Sequence, residues 1–516
     1  MTVTEQSSSG QAQPPSTPPG TPVFVEGVLI SSSPASGAEV GRVPVTTESE
    51  VREAVTRARA AAEWWAGLGF AGRRGRLLTW RALIVGRIDE ITDLIHRENG
   101  KPSDDAMLEL LLTVHHLDWA AKKASKVLGP RRVASGMLAT NIAATLEYAP
   151  LGVVGVIGPW NYPVFTPMGS VAYALAAGNA VVFKPSEYTP LVGKWLVDTF
   201  AEVVPEQPVL TGVYGGGATG AALTSAGVDK IAFTGSTATG KKIMAAAATT
   251  LTPVLIECGG KDPLLVDSDA DLDAAADAAV WGGMSNGGQT CVGTERVYVH
   301  EAVYEPFLAK LTELAKNVTP GEAADALYGP ATMPSQLKII RRHVQDALDH
   351  GGKAVVGGVA SVSGPFVAPV VLTDVPEDSA AVQEETFGPT LTVSKVRDMD
   401  EAIERANGTP YGLGATVFSK RRGVELARRI RSGMTAVNSI VSFASVATLP
   451  FGGVGDSGFG RIHGEDGLRE FTRPKAIARQ RYALPRAIYS FTRTDSTNSL
   501  LGKTMKIRYG RGAPKH

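Results

Sequence analysis

The 516-residue sequence is poor in several features that mark particular classes of protein. Its two cysteines are too few for the disulfide scaffold of a small secreted protein. No apolar run approaches the roughly 18 residues that a membrane-spanning helix needs. Basic and acidic residues balance at 51 each, so charge gives no reason to expect nucleic acid as a partner.

Signals for metal binding and for export are also absent. None of the eight histidines has the spacing of a metal site such as HExxH, so no catalytic metal is predicted. The first 22 residues contain neither the basic nor the apolar region of a signal peptide. Their Ser, Pro, Gln and Gly content predicts a disordered tail. These observations favour a soluble, cytoplasmic protein.

The chain is rich in glycine, with 57 residues, and in short apolar runs that alternate with helical segments. From Gly152 onward, strands such as GVVGVIG and NAVVFKP are separated by segments with the period of a helix. This alternation predicts an α/β fold in which a parallel sheet is covered by crossover helices. Ligands of such sheets bind at the carboxyl ends of the strands.

The most unusual residues lie between 253 and 296. A predicted strand ends at Glu257 and Cys258, a second short strand and an Asp-capped helix follow, and a glycine-rich loop carries Cys291. The helix reverses the chain direction at about 1.5 Å per residue, which can return Cys291 towards Glu257. A thiol and a carboxylate that face one substrate form a nucleophile and base pair.

Two motifs of this stretch, ECGGK (257–261) and GQTC (288–291), resemble the signature motifs of the aldehyde dehydrogenase superfamily. The resemblance extends from about residue 40 to about residue 480. It implies a Rossmann-type cofactor domain, an α/β catalytic domain and a β oligomerisation arm. It also implies the oxidation of an aldehyde to its carboxylic acid, with hydrolysis of a cysteine thioester.

The resemblance and the sequence pattern together predict five parts. They are a disordered tail (1–22), a cofactor-binding domain (23–130 and 150–254), a catalytic domain (255–450), an oligomerisation arm (131–149 and 470–484) and a basic C-terminal tail (485–516). By resemblance the arm joins the subunits of a homodimer or homotetramer. An ordinary surface hairpin is the alternative.

Three residues receive catalytic roles from the resemblance. Cys291 would attack the carbonyl carbon, and Asn161 of GPWNYP would hold the oxyanion together with the Cys291 N–H. Glu257 would activate the water that hydrolyses the thioester, a role that benefits from burial. An isolated Asn beside Pro is usually a turn former, so the role of Asn161 depends on the resemblance.

Eight residues are predicted to bind the cofactor: Trp160, Lys184, Glu187, Gly235, Ser236, Cys258, Glu385 and Phe387. Lys184 and Glu187 would hold the adenosine ribose, where the Glu187 carboxylate repels the 2′-phosphate of NADP. NAD is therefore predicted, with NADP as the alternative. The stretch 233–240 lacks GxGxxG spacing, but its strand-to-helix junction suits a pyrophosphate. Glu385 would hold the nicotinamide ribose, and Phe387 would pack near the nicotinamide ring.

The predicted substrate pocket is apolar. Relatives that are specific for semialdehydes carry arginines where this chain has Gly169 and Ser285. The stretches 164–168, 281–284 and 439–450, which should line the pocket, contain no charge. An unpaired carboxylate is costly to bury, so an apolar aliphatic or aromatic aldehyde is favoured over succinic semialdehyde.

Two features depart from the family pattern. Cys258 stands where the motif usually has Leu, and either packs as a small apolar residue or forms a reversible disulfide with Cys291. The tail from Arg481 carries eight basic residues and one acid, Asp495. It is either solvated, packed on a partner, or in peripheral contact with anionic lipid.

Two other classes of function compete with the dehydrogenase. One is a catalytically idle scaffold with the same fold, which the intact Cys291, Glu257 and Asn161 disfavour. The other is a hydrolase that forms a thioester on Cys291 without a nicotinamide. The cofactor motifs at 184–187 and 233–240 disfavour the hydrolase.

Overall fold

The structure is a computed structural model. It describes residues 18–323, 326–485, 488–510 and 512, so most of the predicted N-terminal tail lies outside it. The chain divides into two compact units. The larger one comprises the residues up to Leu128 and Pro150–Arg473, and the smaller one comprises Gly129–Ala149 and the residues from Pro474 onward.

The strands form four sheets in the described residues. In chain order they are β1 (Val23–Val25), β2 (Val28–Ser32), β3 (Glu39–Pro44), β4 (Arg131–Val133), β5 (Ile142–Pro150), β6 (Val153–Ile157), β7 (Ala180–Lys184), β8 (Leu210–Gly212), β9 (Lys230–Thr234), β10 (Val254–Glu257), β11 (Asp262–Val266), β12 (Thr294–His300), β13 (Lys353–Val356), β14 (Val370–Thr373), β15 (Thr390–Val396), β16 (Thr416–Phe418), β17 (Ala436–Val437), β18 (Gly458–Phe459) and β19 (Thr472–Gln480).

Helices connect most of these strands. They are α1 (Glu48–Gly67), α2 (Gly69–Gly86), α3 (Ile88–Asn99), α4 (Ser103–Leu128), α5 (Phe165–Ala177), α6 (Pro190–Val203), α7 (Gly217–Ser225), α8 (Thr237–Ala248), α9 (Leu272–Met284), α10 (Tyr304–Lys316), α11 (Gln336–Asp349), α12 (Ala380–Gln383), α13 (Met399–Ala406), α14 (Gly423–Ala427), α15 (Ser442–Ser445), α16 (Gly464–Glu470) and α17 (Asp495–Tyr509).

The first large sheet has the strand order β18-β10-β9-β6-β7-β8. All its pairings are parallel except that of β18 with β10, which is antiparallel. Strands β6 and β7 are buried at every position, as expected for strands covered by helices on both faces. The α/β class with a parallel sheet, predicted from the alternating pattern, is confirmed.

The second large sheet has the order β13-β14-β15-β12-β11-β16-β17, and only β13 runs antiparallel to its neighbour. Helix α9 packs its alanines on this sheet through a core that includes Leu264, Val297 and Phe307. The Asp271 side chain caps α9 by accepting a hydrogen bond from Ala274 N at 3.2 Å. Helix α9 comes after β11 and ends next to the loop that carries Cys291.

The predicted boundary between the cofactor and catalytic parts, at 254/255, lies inside the larger unit, and the division into these two parts stays a prediction. Both large sheets belong to the larger unit, and β18 returns from far along the chain to pair with β10. Residues 69–99 form two helices, because α2 ends at Gly86 and α3 begins at Ile88.

The smaller unit contains a three-stranded sheet in the order β19-β5-β4 and helix α17. The antiparallel pairing of β4 with β5 matches Arg131 with Leu146. The basic tail thus contains a helix that the sequence analysis did not predict. Among the described residues, no helix is both long and apolar enough to cross a membrane.

Candidate active site

Cys291 follows a turn of left-handed backbone between α9 and β12. Asn286, Gly287 and Gly288 have positive φ angles of 52°, 64° and 71°. A Cβ atom on Gly288 would lie 2.1 Å from the carbonyl oxygen of Gly388, so only glycine allows this close contact between the two loops. The Cys291 loop is therefore fixed against the segment that contains Gly388.

Asn161, after β6, is hydrogen-bonded to the same loop. Its Nδ2 donates to Gln289 O at 2.9 Å, and Asn286 Nδ2 donates to Asn161 O at 3.1 Å. The neighbouring Tyr162 hydroxyl lies 3.0 Å from Thr290 Oγ1. These bonds hold the Asn161 amide, which is 5% exposed, beside the residues that precede the thiol.

Glu257 ends β10 and is 3% exposed. Its Oε1 has no hydrogen-bond partner among the described residues. Burial raises the pKa of the Glu257 carboxyl well above its ordinary value; Arg461 opposes this shift, and Glu470 adds to it. A carboxyl group with a raised pKa can exchange a proton near neutral pH, as a general base or acid must.

Cys291 is half-buried, and its thiol lies near carboxyl groups. Burial raises the pKa of Cys291 well above its ordinary value, and the charges of Glu257, Asp262 and Glu385 raise it further, against a hydrogen bond from the Val292 N–H. The thiol is therefore protonated at neutral pH. It needs a base to become a nucleophile, since the thiolate is the reactive form.

Cys291 lines two cavities at once. The first, the substrate pocket, encloses about 90 Å³ and also contacts Glu257 and Cys258. The second encloses about 260 Å³ and also contacts Asn161, Glu385 and Phe387. A molecule in either cavity can therefore reach the thiol.

A third cavity, of about 600 Å³, continues from the second, with which it shares Trp160, Gly235 and Ser236. It extends to Lys184 and Glu187, whose Nζ and Oε2 atoms lie 3.1 Å apart. We call these two connected cavities the cofactor cleft. All eight residues predicted to bind the cofactor line it.

The cleft has the features that a nicotinamide dinucleotide requires. Glu385 is half-buried in it, its buried Oε1 has no partner among the described residues, and desolvation raises its pKa to about 8. A Cβ atom on Gly259 would lie 1.7 Å from that oxygen, so the position of the Glu385 carboxyl requires glycine at residue 259. The rings of Trp160 and Phe387, 5.6 Å apart, flank the same part of the cleft. The unpartnered carboxyl oxygen can accept hydrogen bonds from ribose hydroxyls.

A sequence model described as "Aldehyde dehydrogenase family" matches residues 26–477. The chain belongs to the aldehyde dehydrogenase family. Its reaction is the oxidation of an aldehyde with NAD or NADP.

Known proteins agree with this result. The dehydrogenase is 37% identical over 462 residues to 4,4'-diapolycopene aldehyde oxidase of Methylomonas sp, covering 89% of this chain and 87% of that protein. It is 36% identical over 454 residues to a Mycobacterium tuberculosis protein provisionally assigned as succinate-semialdehyde dehydrogenase (NADP(+)) 2, covering 86% and 87%.

Among solved structures, NADP-dependent glyceraldehyde-3-phosphate dehydrogenase from Bacillus halodurans, complexed with NADP, matches with a TM-score of 0.84 and 32% identity. The match covers 88% of this chain and 96% of that chain. The aldehyde dehydrogenase fold implied by the sequence motifs is therefore confirmed.

A buried ion pair positions part of the cleft in this dehydrogenase. Lys261 of the ECGGK motif pairs with Glu295 at the start of β12 and donates to Thr386 Oγ1 at 3.0 Å. Glu295 in turn accepts from Thr386 N at 2.9 Å and from Phe387 N at 3.1 Å. The sequence analysis missed Glu295, because its partners come from segments far apart in the chain.

Cys258 lines both the substrate pocket and the cofactor cleft. Burial raises the pKa of its thiol to about 12, against a hydrogen bond with Thr237. Both cysteines are free. The disulfide between Cys258 and Cys291 stays a prediction.

Helix α4 adds acidic side chains that the sequence analysis did not place in the pocket. Glu109 pairs with Lys101 and accepts from Val164 N at 2.7 Å, so its charge is compensated. Asp105 has one oxygen without a partner among the described residues, and burial raises its pKa. The sequence feature that could have indicated a second contact face on α4 is its LELLL run (108–112). Its leucines cover more of the helix surface than one amphipathic stripe needs.

The substrate pocket also contains Ile462 and His463, from the segment between β18 and α16. A Cβ atom on Gly169 would lie 2.9 Å from His463 Nε2. The space beside Gly169, where semialdehyde-specific relatives are expected to carry arginine, is therefore occupied by an imidazole ring from another part of the chain.

Proposed function

We propose that this aldehyde dehydrogenase acts on neutral, mainly apolar aldehydes, and that Cys291, Asn161 and Glu257 carry the reaction. The observation that supports this most strongly is the position of Cys291, which lines both the substrate pocket and the cofactor cleft. An aldehyde in the pocket reaches the sulfur from one side. A nicotinamide cofactor held in the cofactor cleft would supply the hydride acceptor.

In the proposed mechanism the Cys291 thiol gives its proton to a solvent water molecule, and its sulfur bonds to the carbonyl carbon as the C=O π electrons move to the oxygen. The oxyanion of the resulting thiohemiacetal accepts hydrogen bonds from Asn161 Nδ2 and the Cys291 N–H, and each donor contributes about 3 kcal/mol. Loss of hydride from that carbon leaves a thioester on Cys291. Glu257 then takes a proton from water, the water oxygen attacks the thioester, and the acid leaves as the thiolate re-forms.

The pocket chemistry supports a neutral substrate. No lysine or arginine of the described chain lines the pocket, and Asp105 would repel a second carboxylate when ionised. Phe165 and Phe451 contribute apolar surface, and the partly exposed Leu108 and Trp281 also line it. The name of the mycobacterial relative favours succinic semialdehyde as the alternative substrate. Its distal carboxylate would have no cationic partner here.

The test is the initial rate of nicotinamide reduction with short and long aliphatic, aromatic and semialdehyde substrates. We expect the catalytic efficiency with hexanal and benzaldehyde to exceed that with succinic semialdehyde by about tenfold or more, because burying an unpaired carboxylate costs several times 1.4 kcal/mol. A preference for succinic semialdehyde would overturn the substrate class and leave the assigned chemistry in place.

Cofactor preference is proposed to follow Glu187. Its carboxyl lies in the cleft beside Lys184 and is about one-third exposed. We expect NAD to give a higher kcat/KM than NADP, and Glu187→Gln to shift that ratio about tenfold towards NADP by removing a charge near the 2′-phosphate. Glu202→Gln, in an exposed pair with Arg87, is the control. Equal use of both cofactors by the unmodified enzyme would contradict the proposal.

The basic tail is proposed to contact anionic membranes through α17. Leu500, Met505, Ile507 and Tyr509 are 46% to 75% exposed on this helix, which also carries Lys503, Lys506 and Arg508. Exposed apolar residues combined with basic ones suit an interfacial helix. Co-sedimentation with anionic vesicles at low salt measures this contact, and a protein that stays in the supernatant argues against it.

The β-sheet of the smaller unit is proposed to join subunits in a homodimer or homotetramer. Val133 and Ile477 of this sheet, together with Met137 and Leu138 of the short 3-10 helix between β4 and β5, expose 41% to 60% of their surface. Such apolar exposure is typical of a surface that a partner covers. The cytoplasmic location remains a prediction from the sequence.

A further inference from the structure

His463 is the polar side chain of the substrate pocket whose hydrogen bonding is least satisfied. It is 1% exposed, and neither Nδ1 nor Nε2 has a hydrogen-bond partner among the described residues. A neutral imidazole carries one N–H donor and one acceptor nitrogen, and leaving both unpaired in an apolar site is costly. A native protein retains such a group when something else pairs with it.

The neighbours of His463 are aromatic. Its ring centroid lies 3.8 Å from that of His116 and 5.4 to 5.7 Å from those of Phe165, Tyr173 and Phe451. His116, in contrast, is paired through Nε2 with Ala444 O at 2.8 Å. The lack of partners is therefore specific to His463 and is not a property of the whole cluster.

Two backbone features hold the His463 ring in this position. Its φ angle is 60°, in the left-handed region that a residue with a side chain rarely adopts. The ring also lies against Gly169, where a side chain would collide with Nε2. Strained backbone conformations persist where the surrounding structure enforces them, and they cluster at functional sites.

The ring is uncharged. Burial holds the pKa of His463 well below its ordinary value, and His116 lowers it further. A neutral imidazole donates to or accepts from a hydroxyl or carbonyl group, but it does not neutralise a carboxylate. The chemistry of His463 therefore fits a neutral oxygen substituent better than the distal carboxylate of a semialdehyde.

We propose that His463 is a specificity-determining residue that hydrogen-bonds a neutral hydroxyl group on an aromatic aldehyde held in the substrate pocket. The rings of Phe165 and Phe451, which line the same pocket, favour an aromatic body by edge or stacked contacts. The proposal rests on the proposed function, and it narrows the substrate class to aldehydes that combine an aromatic ring with an alcohol.

The experiment compares kcat/KM for ortho-, meta- and para-(hydroxymethyl)benzaldehyde with the corresponding ethylbenzaldehydes. These pairs have nearly the same shape, and the alcohol stays neutral over the assay range. We expect the unmodified enzyme to prefer the alcohol in at least one pair by roughly tenfold, the effect of one net hydrogen bond in a buried site. His463→Phe should lower that ratio to about one.

Gly169→Ala is a second variant, because its methyl group would lie 2.7 Å from Ile462 Cδ1 and 2.9 Å from His463 Nε2 and would displace the His463 ring without removing it. It should lower the same ratio. His115→Gln, on the exposed side of α4, is the control and should leave the ratio unchanged. An unchanged ratio in His463→Phe and Gly169→Ala, with oxidation retained, would overturn the proposal.

A binding measurement separates this proposal from the proposed function. In the full enzyme labelled with ¹⁵N-histidine, the His463 resonance, assigned by its loss in His463→Phe, should shift with para-(hydroxymethyl)benzamide and not with para-ethylbenzamide. If the enzyme oxidises none of the aldehydes, the proposed function fails. The ¹⁵N shift then decides the His463 proposal: its presence supports binding of the hydroxyl, and its absence refutes it.

Discussion

Replacement of Cys291 by alanine is expected to lower dehydrogenase turnover by at least about 10⁴-fold, as removal of a covalent nucleophile does in other enzymes. The reason is geometric. Cys291 is shared by the substrate pocket and the cofactor cleft, so its sulfur can hold a carbonyl carbon in reach of the nicotinamide. Nicotinamide reduction with a saturating aldehyde measures the effect.

Cys258→Ala is the informative comparison, because Cys258 is the second cysteine of the chain and also lines the substrate pocket. Alanine at 258 removes a thiol that burial keeps protonated, and it should leave turnover measurable. Mass spectrometry of enzyme quenched during turnover should find the acyl adduct on Cys291. Loss of turnover in Cys258→Ala with full activity in Cys291→Ala would reverse the assignment.

The activation of Cys291 follows from its surroundings. Burial and nearby carboxyl charges raise the pKa of the thiol, so the thiolate is unstable until a proton acceptor and an oxyanion site are both in place. Glu257, in the same pocket, also has a pKa that burial raises, and we assign it to the later activation of water and not to the thiol proton. Low reactivity of the resting thiol protects it from oxidation, since oxidants attack the thiolate.

The parts of the site that the sequence predicted are those encoded by short motifs at strand ends. Glu257 is the last residue of one strand, Asn161 comes after another, and parallel strands bring their carboxyl ends to one edge of the sheet. All residues predicted to bind the cofactor also line the cleft. Local sequence was sufficient to predict these positions, because each motif combines a strand, a turn and one reactive side chain, whereas the roles of the residues stay predictions.

The parts that the sequence did not predict depend on contacts between distant segments. Gly169 was interpreted only as a missing arginine, whereas the structure fills the adjacent space with His463. Asp105 belongs to a helix whose apolar pattern does not reveal which of its faces meets the pocket. The pairing of Lys261 with Glu295 likewise requires strands β11 and β12 to lie side by side, because Lys261 directly precedes β11 and Glu295 belongs to β12.

Replacement of Glu257 by glutamine is expected to slow deacylation and leave acylation comparatively intact. Glutamine keeps the shape of the side chain and removes the base that takes a proton from water, a function that contributes roughly 10²- to 10⁴-fold. The first turnover should then appear as a burst of nicotinamide reduction of about one equivalent per active site, followed by a slow steady rate. Stopped-flow absorbance measures both phases.

The pH dependence of the slow phase provides a second test of Glu257. A base acts in its deprotonated form, and burial raises the pKa of Glu257, so the deacylation rate of the unmodified enzyme should increase with pH across the neutral range. Glu257→Gln should lose this increase. Glu465→Gln, which removes an exposed carboxylate paired with Arg469, should retain it.

Hydroxylamine distinguishes the role of Glu257 from that of Cys291. It attacks a thioester without needing a base to remove its proton first, so it should restore rapid turnover to Glu257→Gln while leaving Cys291→Ala inactive. Rescue of the first variant alone shows that the thioester forms on Cys291 and that its hydrolysis requires an activated water molecule. If Glu257→Gln instead shows no burst and no rescue, Glu257 is needed before the thioester forms, and its role moves to removal of the proton from the Cys291 thiol.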